Sequence, residues 1–168
     1  MNSPKEQFSS IYDQYIEKIY RFVYLKVDAQ EVAEDITSRV FLNAWQAYQK
    51  NQKIRNIGAF LYKIARNIIV DHYRGKGVTK TVSIDYIPQI ADNKTNIYEK
   101  AVLNADIDAI RLAIQNLKKD YQDVLIWYYL DDMPSEKIAE LLDKPVGTVR
   151  VIIHRGLQML RDELRGQV

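Results

Sequence analysis

The chain has 168 residues and a mass of 19.7 kDa, which suits one ordinary domain or two small ones. Its composition, 47% hydrophobic and 27% charged, is typical of a globular protein and excludes general disorder. No cysteine is present, which excludes disulfides, thiolate metal sites and cysteine nucleophiles, and no cofactor or metal is expected.

The compartment is predicted from hydropathy. The first residues lack the apolar stretch of a signal peptide. The longest apolar run, residues 124–130, is far shorter than the ~20 residues of a membrane span. We therefore expect a cytoplasmic protein.

The net charge of +2 hides a division of the charges into blocks. Residues 50–80 carry a net charge of +7 and residues 144–168 a net charge of +3, while residues 92–143 carry −5. Two basic blocks separated by an acidic one indicate that a polyanion is bound at two places. The alternative for either block is a solvated helix face.

Hydrophobic periodicity predicts an all-α fold for almost the whole chain. Apolar residues recur at intervals of three and four over residues 8–27, which predicts the first helix. Asp28, with Glu31 three residues later, predicts the capped start of a second helix. A polar, basic stretch over residues 49–56 leads to a third predicted helix over about residues 57–74.

Residues 76–95 show no helical period and are too many for an ordinary connection inside one compact domain. The sequence therefore predicts two small helical domains, 1–75 and 96–168, joined by an extended linker over 76–95. The second domain is predicted to contain helices over about 97–117, 121–130, 135–142 and 146–164. The last two have the outline of a helix-turn-helix.

The third predicted helix has an apolar face and, opposite to it, a polar face, at about 100° per residue. Lysine and arginine neutralise phosphates, and an asparagine amide can hydrogen-bond base edges, so the polar face suits DNA. Its residues are Lys63, Arg66, Asn67, Val70 and Arg74. His72 falls on the apolar side, where a core histidine is expected.

The last predicted helix has a buried stripe and an outward face of the kind that a recognition helix presents to DNA. Its flanking arginines suit phosphates, and Gly147 allows close approach of the backbone. The outward residues are Gly147, Thr148, Val151, His154, Arg155 and Gln158, with Arg150 and Arg161 beside them. The alternative is a basic C-terminal helix with a solvated face.

Constellations typical of enzymes are missing from the sequence. It has no glycine-rich phosphate loop, no G-x-S-x-G and no H-E-x-x-H. His72 and His154 fall in different predicted domains, with no cysteine to complete a zinc site. We therefore expect a protein that is not an enzyme and takes no small-molecule substrate.

Three stretches of the chain together match one protein family in order and spacing. They are Ala33-Glu34-Asp35-Ile36-Thr37 with Val40-Phe41-Leu42-Asn43-Ala44-Trp45; Leu61-Tyr62-Lys63-Ile64-Ala65-Arg66-Asn67 with Asp71 and Arg74; and Ile138-Ala139-Glu140-Leu141-Leu142 with Val146-Gly147-Thr148-Val149-Arg150 and His154-Arg155. The first resembles the core-polymerase-binding segment of extracytoplasmic-function sigma factors, a group of the sigma-70 family. The second resembles the family's promoter −10 helix, and the third resembles its −35 helix-turn-helix.

The resemblance implies an alternative sigma factor that binds core RNA polymerase and directs promoter-specific transcription initiation. For polymerase it implicates Ala33, Glu34, Asp35, Ile36, Thr37, Phe41, Leu42 and Trp45. For the −10 element it implicates Lys63, Arg66, Asn67, Val70 and Arg74. For the −35 element it implicates Gly147, Thr148, Arg150, Val151, His154 and Arg155. It also implies an anti-sigma protein as a further partner.

The chain departs from the family's usual residues at five positions. Ser38 and Arg39 stand where a glutamine and an acidic residue are usual in the polymerase-binding segment. Asp143 replaces the glycine of the turn, which is tolerable because aspartate can adopt the left-handed conformation. Val151 and Ile152 replace a serine and an arginine of the recognition helix, so base readout at −35 is expected to be unusual.

Two alternatives to a sigma factor stay open at this point. A free-standing helix-turn-helix repressor would bind duplex DNA by itself and would not need the segment 33–45. A helical interaction module without a nucleic-acid role is disfavoured by the charge blocks.

Overall fold

The computed structural model describes residues 3–51, 53–75 and 97–166. Within these residues every regular element is helical, so the predicted all-α fold is confirmed. The chain divides into two compact units, one containing the helices before residue 76 and the other containing the helices from residue 97 onward. The predicted linker over 76–95 lies outside the described residues, and the boundaries 1–75 and 96–168 stay a prediction.

The first unit is a bundle of three helices. These are α1 (Pro4–Tyr24), α2 (Gln30–Lys50) and α3 (Ile57–Gly75), and each packs against the other two. Their apolar faces meet in a core that includes Ile19, Phe22, Val23, Ile36, Val40, Leu61 and Tyr62, all at most 2% exposed. The rings of Phe22 and Tyr62 meet edge to face with centroids 5.3 Å apart.

Side-chain oxygens cap the starts of α1 and α3. Ser3 Oγ accepts from the backbone N–H of Glu6 at 3.2 Å. Asn56 Oδ1 accepts from the backbone N–H of Ala59 at 3.0 Å. Each bond satisfies one of the backbone donors that a helix start leaves without an intrahelical partner.

The prediction that Asp28 caps α2 is wrong. The helix begins two residues later, at Gln30, and its N-cap is Ala29, whose side chain makes no capping hydrogen bond. The first backbone bond of the helix runs from Ala33 N to Ala29 O at 3.1 Å. Val27 is fully buried, so the turn after α1 stays against the core through this residue, and the N-cap position falls on Ala29 rather than on Asp28.

The second unit contains four α-helices within residues 97–166. They are α4 (Ile97–Gln115), α5 (Lys119–Leu125), α6 (Ser135–Leu142) and α7 (Val146–Gly166). The long helix α7 packs against the other three. The core around it contains Ala113, Ile114, Val124, Trp127, Ile138 and Val149, all at most 2% exposed.

The helix predicted over 121–130 differs from its prediction in its second half. After Leu125 the chain continues as a π-helical turn over Ile126–Leu130. Asp131 N donates to Ile126 O, five residues back, at 3.2 Å. The apolar run 124–130 shows a buried helix but not its pitch, since an all-apolar pattern has no period to measure.

The turn between α6 and α7 confirms the expectation for Asp143. This residue takes left-handed backbone angles, φ 54° and ψ 50°, and ends α6. Lys144 N then donates to Ala139 O at 3.0 Å, which satisfies a carbonyl at the helix end. Pro134 stands at the N-cap of α6.

Candidate nucleic-acid and polymerase interfaces

The polar face of α3 is presented to solvent as the periodicity predicts. Lys63, Asn67 and Arg74 are exposed, while Arg66 and Val70 are half-buried at its margins. The opposite face packs into the core through Gly58, Leu61, Tyr62, Ala65, Ile68 and Ile69. The helix therefore carries cations and one amide on a face that does not contribute to the core.

The C-terminal end of α3 is fixed to the turn between α1 and α2. The hydroxyl of Tyr73 donates to the backbone carbonyl of Lys26. Lys26 is itself buried, with its ammonium 4.5 Å from the centroid of the Phe22 ring. His72 is half-buried beside Tyr73, with ring centroids 5.2 Å apart, rather than deep in the core. These contacts hold the polar face of α3 in a defined orientation.

Two cations of this face, Lys63 and Arg74, are exposed to solvent. Arg74 forms only an exposed pair with Asp71, with Nη1 and Oδ1 3.9 Å apart. A surface pair of this kind contributes little stability and exchanges readily for another partner. In the segment before α3, Lys53 and Arg55 are also exposed, and Lys53 N donates to Asn51 Oδ1 at 3.0 Å, which shapes the turn.

The N-terminal half of α7 presents every residue predicted for the −35 element. Val149, Ile153 and Gly156 are buried against the rest of the unit. The exposed residues of this half are Gly147, Thr148, Arg150, Val151, His154 and Arg155. The structure therefore brings the six together on one face of one helix.

Two glycines of α7 differ in what surrounds them. A Cβ atom on Gly156 would lie 3.3 Å from atoms of both Leu125 and Tyr121, so this glycine lets α7 approach α5 closely. A Cβ on Gly147 would meet nothing within 4 Å. Packing inside the unit explains Gly156 and leaves Gly147 without a structural requirement.

The eight residues implicated in polymerase binding divide by burial. Ala33, Ile36, Thr37 and Phe41 are buried, and Thr37 Oγ1 donates to Ala33 O at 2.7 Å. Ala33, Ile36 and Thr37 face the interior of the first unit, whereas Phe41, although only 5% exposed, lines a groove that is open to solvent. The other four are Asp35 and Leu42, both exposed, and Glu34 and Trp45, both half-buried.

An open apolar groove of about 390 Å³ lies between α1 and α2 and was missed by the sequence analysis. From α2 it is lined by Phe41, Leu42 and Trp45; from α1 it is lined by Lys5, Phe8, Ser9 and Tyr12. Leu42 is 55% exposed and Tyr12 is 42% exposed. Phe8 and Tyr12 recur at core spacing, so periodicity alone assigns both to the interior. Phe8 is indeed buried, whereas the exposure of Tyr12 shows only in three dimensions.

The two units correspond to two separate family models. Residues 11–79 match sigma-70 region 2, and residues 107–160 match sigma-70, region 4. The chain is 31% identical over 170 residues to the ECF RNA polymerase sigma factor SigW of Bacillus subtilis (strain 168), covering 96% of this chain and 90% of that protein. The chain belongs to the ECF sigma factors. This confirms the predicted family and decides against the two alternatives, a free-standing repressor and a helical interaction module.

Other relatives of this ECF sigma factor extend the comparison. The ECF RNA polymerase sigma factor SigE of Mycolicibacterium smegmatis is 29% identical over 90% of this chain, which spans 59% of that protein's length. Two solved structures share the fold. One is CnrH in complex with the cytosolic domain of CnrY, which matches with a TM-score of 0.71 and 16% identity over 96% of this chain and 89% of that one. The other is the sigma factor RpoE in complex with the anti-sigma factor NepR from Bartonella quintana, which matches with a TM-score of 0.67 and 17% identity over 95% of this chain and 97% of that one.

Among the described residues of this ECF factor, no helix is long and apolar enough to cross a membrane. Three or more acidic or histidine side chains do not come together there in a way that could hold a metal ion.

Proposed function

We propose that this ECF sigma factor binds core RNA polymerase and directs it to promoters by contacting the −10 element with α3 and the −35 element with α7. The observation that carries the proposal is the pair of exposed cationic faces, one on each helix, each within a different family-matched region. We further propose that the factor acts in the cytoplasm and has no catalytic role of its own.

At the −10 element the polar face of α3 supplies both kinds of contact that DNA recognition needs. Lys63 and Arg74 are placed for phosphates, which fix position but carry no sequence information. Asn67 is exposed between them and carries the one side-chain amide of this face, so it is the residue suited to read a base.

At the −35 element α7 enters the major groove by its N-terminal half. Arg150 and Arg155 are exposed and available for phosphates or guanines. Arg150 now lies 3.7 Å from Glu136 of α6, in a pair whose two side chains are both exposed. An exposed pair of this kind contributes little free energy, so Arg150 can leave Glu136 and bind DNA in the major groove at little energetic cost.

The polymerase contact is proposed for the exposed part of α2 and the groove beside it. Asp35 supplies a charge and Leu42 an apolar anchor that stays exposed in the isolated unit. Leu42 also lines the groove, so an apolar side chain of polymerase can insert next to it. Ser38 and Arg39 are exposed on the same helix, and Arg39 replaces an acidic residue, which gives this surface a less acidic character than is usual in the family.

An anti-sigma protein is proposed as the inhibitory partner. Two similar folds were solved in complexes, one with the cytosolic domain of CnrY and the other with the anti-sigma factor NepR. An inhibitor that covers α2 and its groove would prevent polymerase binding without touching DNA.

Run-off transcription with core polymerase and genomic DNA tests the proposal as a whole. We expect transcripts from a small set of promoters only when the factor is added. Absence of specific transcripts, together with binding of the factor to duplex DNA in the absence of polymerase, would instead support a repressor.

The role of Asp35 is tested by Asp35→Ala, with Asp13→Ala as the matched control. Both side chains are exposed helical aspartates of the first unit, and only Asp35 lies on α2. Asp35→Ala should weaken polymerase binding about tenfold, as expected when one partner of an interface charge pair is removed, and leave the helical melt unchanged. Asp13→Ala should change neither. Equal affinities for the three proteins would show that the interface lies elsewhere.

The −10 contacts are tested by comparing Asn67→Ala with Arg74→Ala. Asn67→Ala should impair initiation selectively at promoters with the native −10 element, because an amide discriminates between bases. Arg74→Ala should weaken binding to all sequences and reduce the salt slope by about one unit. If both variants lose the same fraction of initiation activity on every promoter, Asn67 does not read bases.

A further inference from the structure

Val151 is an exposed apolar side chain in the middle of the polar face of α7. It is 45% exposed. Val149 and Ile153, two residues before and after it, are buried in the core. At about 100° per residue these two lie on the side of the helix opposite to Val151, so its isopropyl group contributes nothing to the core.

The face of α7 is open on the N-terminal side of Val151. Gly147, one turn earlier on the same face, has no side chain, and a Cβ there would meet nothing within 4 Å. Arg150 is drawn toward α6 by Glu136 at 3.7 Å, and Ile152 is half-buried on the other flank. From the side of Gly147 a base edge can therefore approach Val151 over a position that carries no side chain.

We propose that Val151 selects a thymine in the −35 element by packing against the thymine C5-methyl group. The proposal rests on the proposed function, since it requires that α7 lies in the major groove at −35. There the thymine methyl is the one apolar feature that base edges offer, while guanine, cytosine and adenine present only hydrogen-bonding groups. A valine in place of the family's usual serine thus changes a hydrogen-bonding position into one that recognises a methyl group.

The size of the effect follows from the area involved. Burying one methyl group in an apolar contact contributes about a fourfold change in affinity. Because Val151 carries no charge, its replacement should leave binding to DNA without the site, and the dependence on salt, nearly unchanged.

The experiment uses polymerase holoenzyme reconstituted with the full chain. Selection from promoters randomised at −35 first identifies the preferred element and any thymine in it. Each thymine is then replaced by deoxyuridine, which removes only the C5-methyl group. For the wild type we expect one position at which this replacement lowers affinity about fourfold. Val151→Ser should bind the thymine and uracil duplexes equally and should no longer select thymine there.

Met159→Ser is the matched control. Met159 is also an exposed apolar residue of α7, 38% exposed and eight residues farther along, where α7 has run roughly 12 Å past Val151. Its variant should retain the thymine preference and the uracil effect. The uracil comparison is made on the wild-type protein, so it holds even if Val151→Ser folds poorly.

The outcomes separate the two proposals. Holoenzyme that shows no −35 preference at all contradicts the proposed function. Holoenzyme that selects a −35 element but is indifferent to every uracil replacement, or a Val151→Ser variant that keeps the wild-type uracil effect, overturns the assignment to Val151 and leaves the proposed function intact.

Discussion

Gly58 lies in α3 directly against Tyr15 of α1. A Cβ atom on Gly58 would come within 2.8 Å of Tyr15 Oη and 3.1 Å of its Cε1. Overpacking of this kind costs about 1–3 kcal/mol, which exceeds the roughly 0.5–1 kcal/mol that alanine gains over glycine inside a helix. We therefore expect Gly58→Ala to lower the free energy of unfolding by about 1 kcal/mol.

A double-mutant cycle with Tyr15→Ala checks this expectation by denaturant unfolding. Once the ring is gone the added methyl meets no obstacle, so Gly58→Ala should then raise the free energy of unfolding by about 0.5–1 kcal/mol. The sign of the effect thus reverses between the two backgrounds. Stabilisation in both would mean that Tyr15 swings aside and that the close approach is not required.

At the scale of the element, α7 contains two glycines for which opposite effects are expected. Gly147→Ala should not lower the melting temperature, because its Cβ meets nothing and alanine favours the helix. It should lower −35 affinity on the order of tenfold, as a disrupted specific contact does. Gly156→Ala should lower the free energy of unfolding by about 1 kcal/mol, since its Cβ crowds Leu125 and Tyr121.

Circular-dichroism melts and promoter binding by holoenzyme measure the two effects separately. Gly147→Ala with unchanged promoter affinity would show that the DNA backbone does not approach this end of the helix. Gly156→Ala with an unchanged melt would show that α5 yields to the extra methyl.

The helix-turn-helix was predictable almost to the residue because the residues that start and stop its helices act locally. Pro134 and Pro145 delimit α6, and an aspartate at position 143 needs no tertiary help to turn left-handed. The outward face of α7 followed from period alone. By contrast, the start of α2 depends on the burial of Val27 in the core. The apolar groove between α1 and α2 exists because α2 leaves Tyr12 partly exposed. Both are tertiary facts that no local pattern contains.

At the scale of the whole molecule, the two basic blocks found in the sequence fall on different units. One includes α3 and the segment before it; the other is α7. Each unit has its own core, so the near-neutral total charge describes neither of them. A polyanion such as promoter DNA would meet two separate cationic helices.

The predicted domain boundaries are tested by expressing residues 1–75 and 96–168 separately. Each fragment should show helical circular dichroism and a cooperative melt, because domains of this size with their own core can fold alone. Gly58→Ala should shift only the melt of the first fragment. A fragment that fails to fold, beside an intact full chain, would show that the boundary is misplaced.

The π-helical turn over Ile126–Leu130 changes how chain length relates to orientation in the second unit. Such a turn accommodates one residue more than an α-helical turn does. A chain shorter by one residue could form ordinary i to i+4 hydrogen bonds here and keep the orientation of α6 and α7. We therefore expect that deleting one of the exposed residues Tyr128, Tyr129 and Leu130 converts the turn to an α-helical one and leaves the orientation of α6 and α7 unchanged.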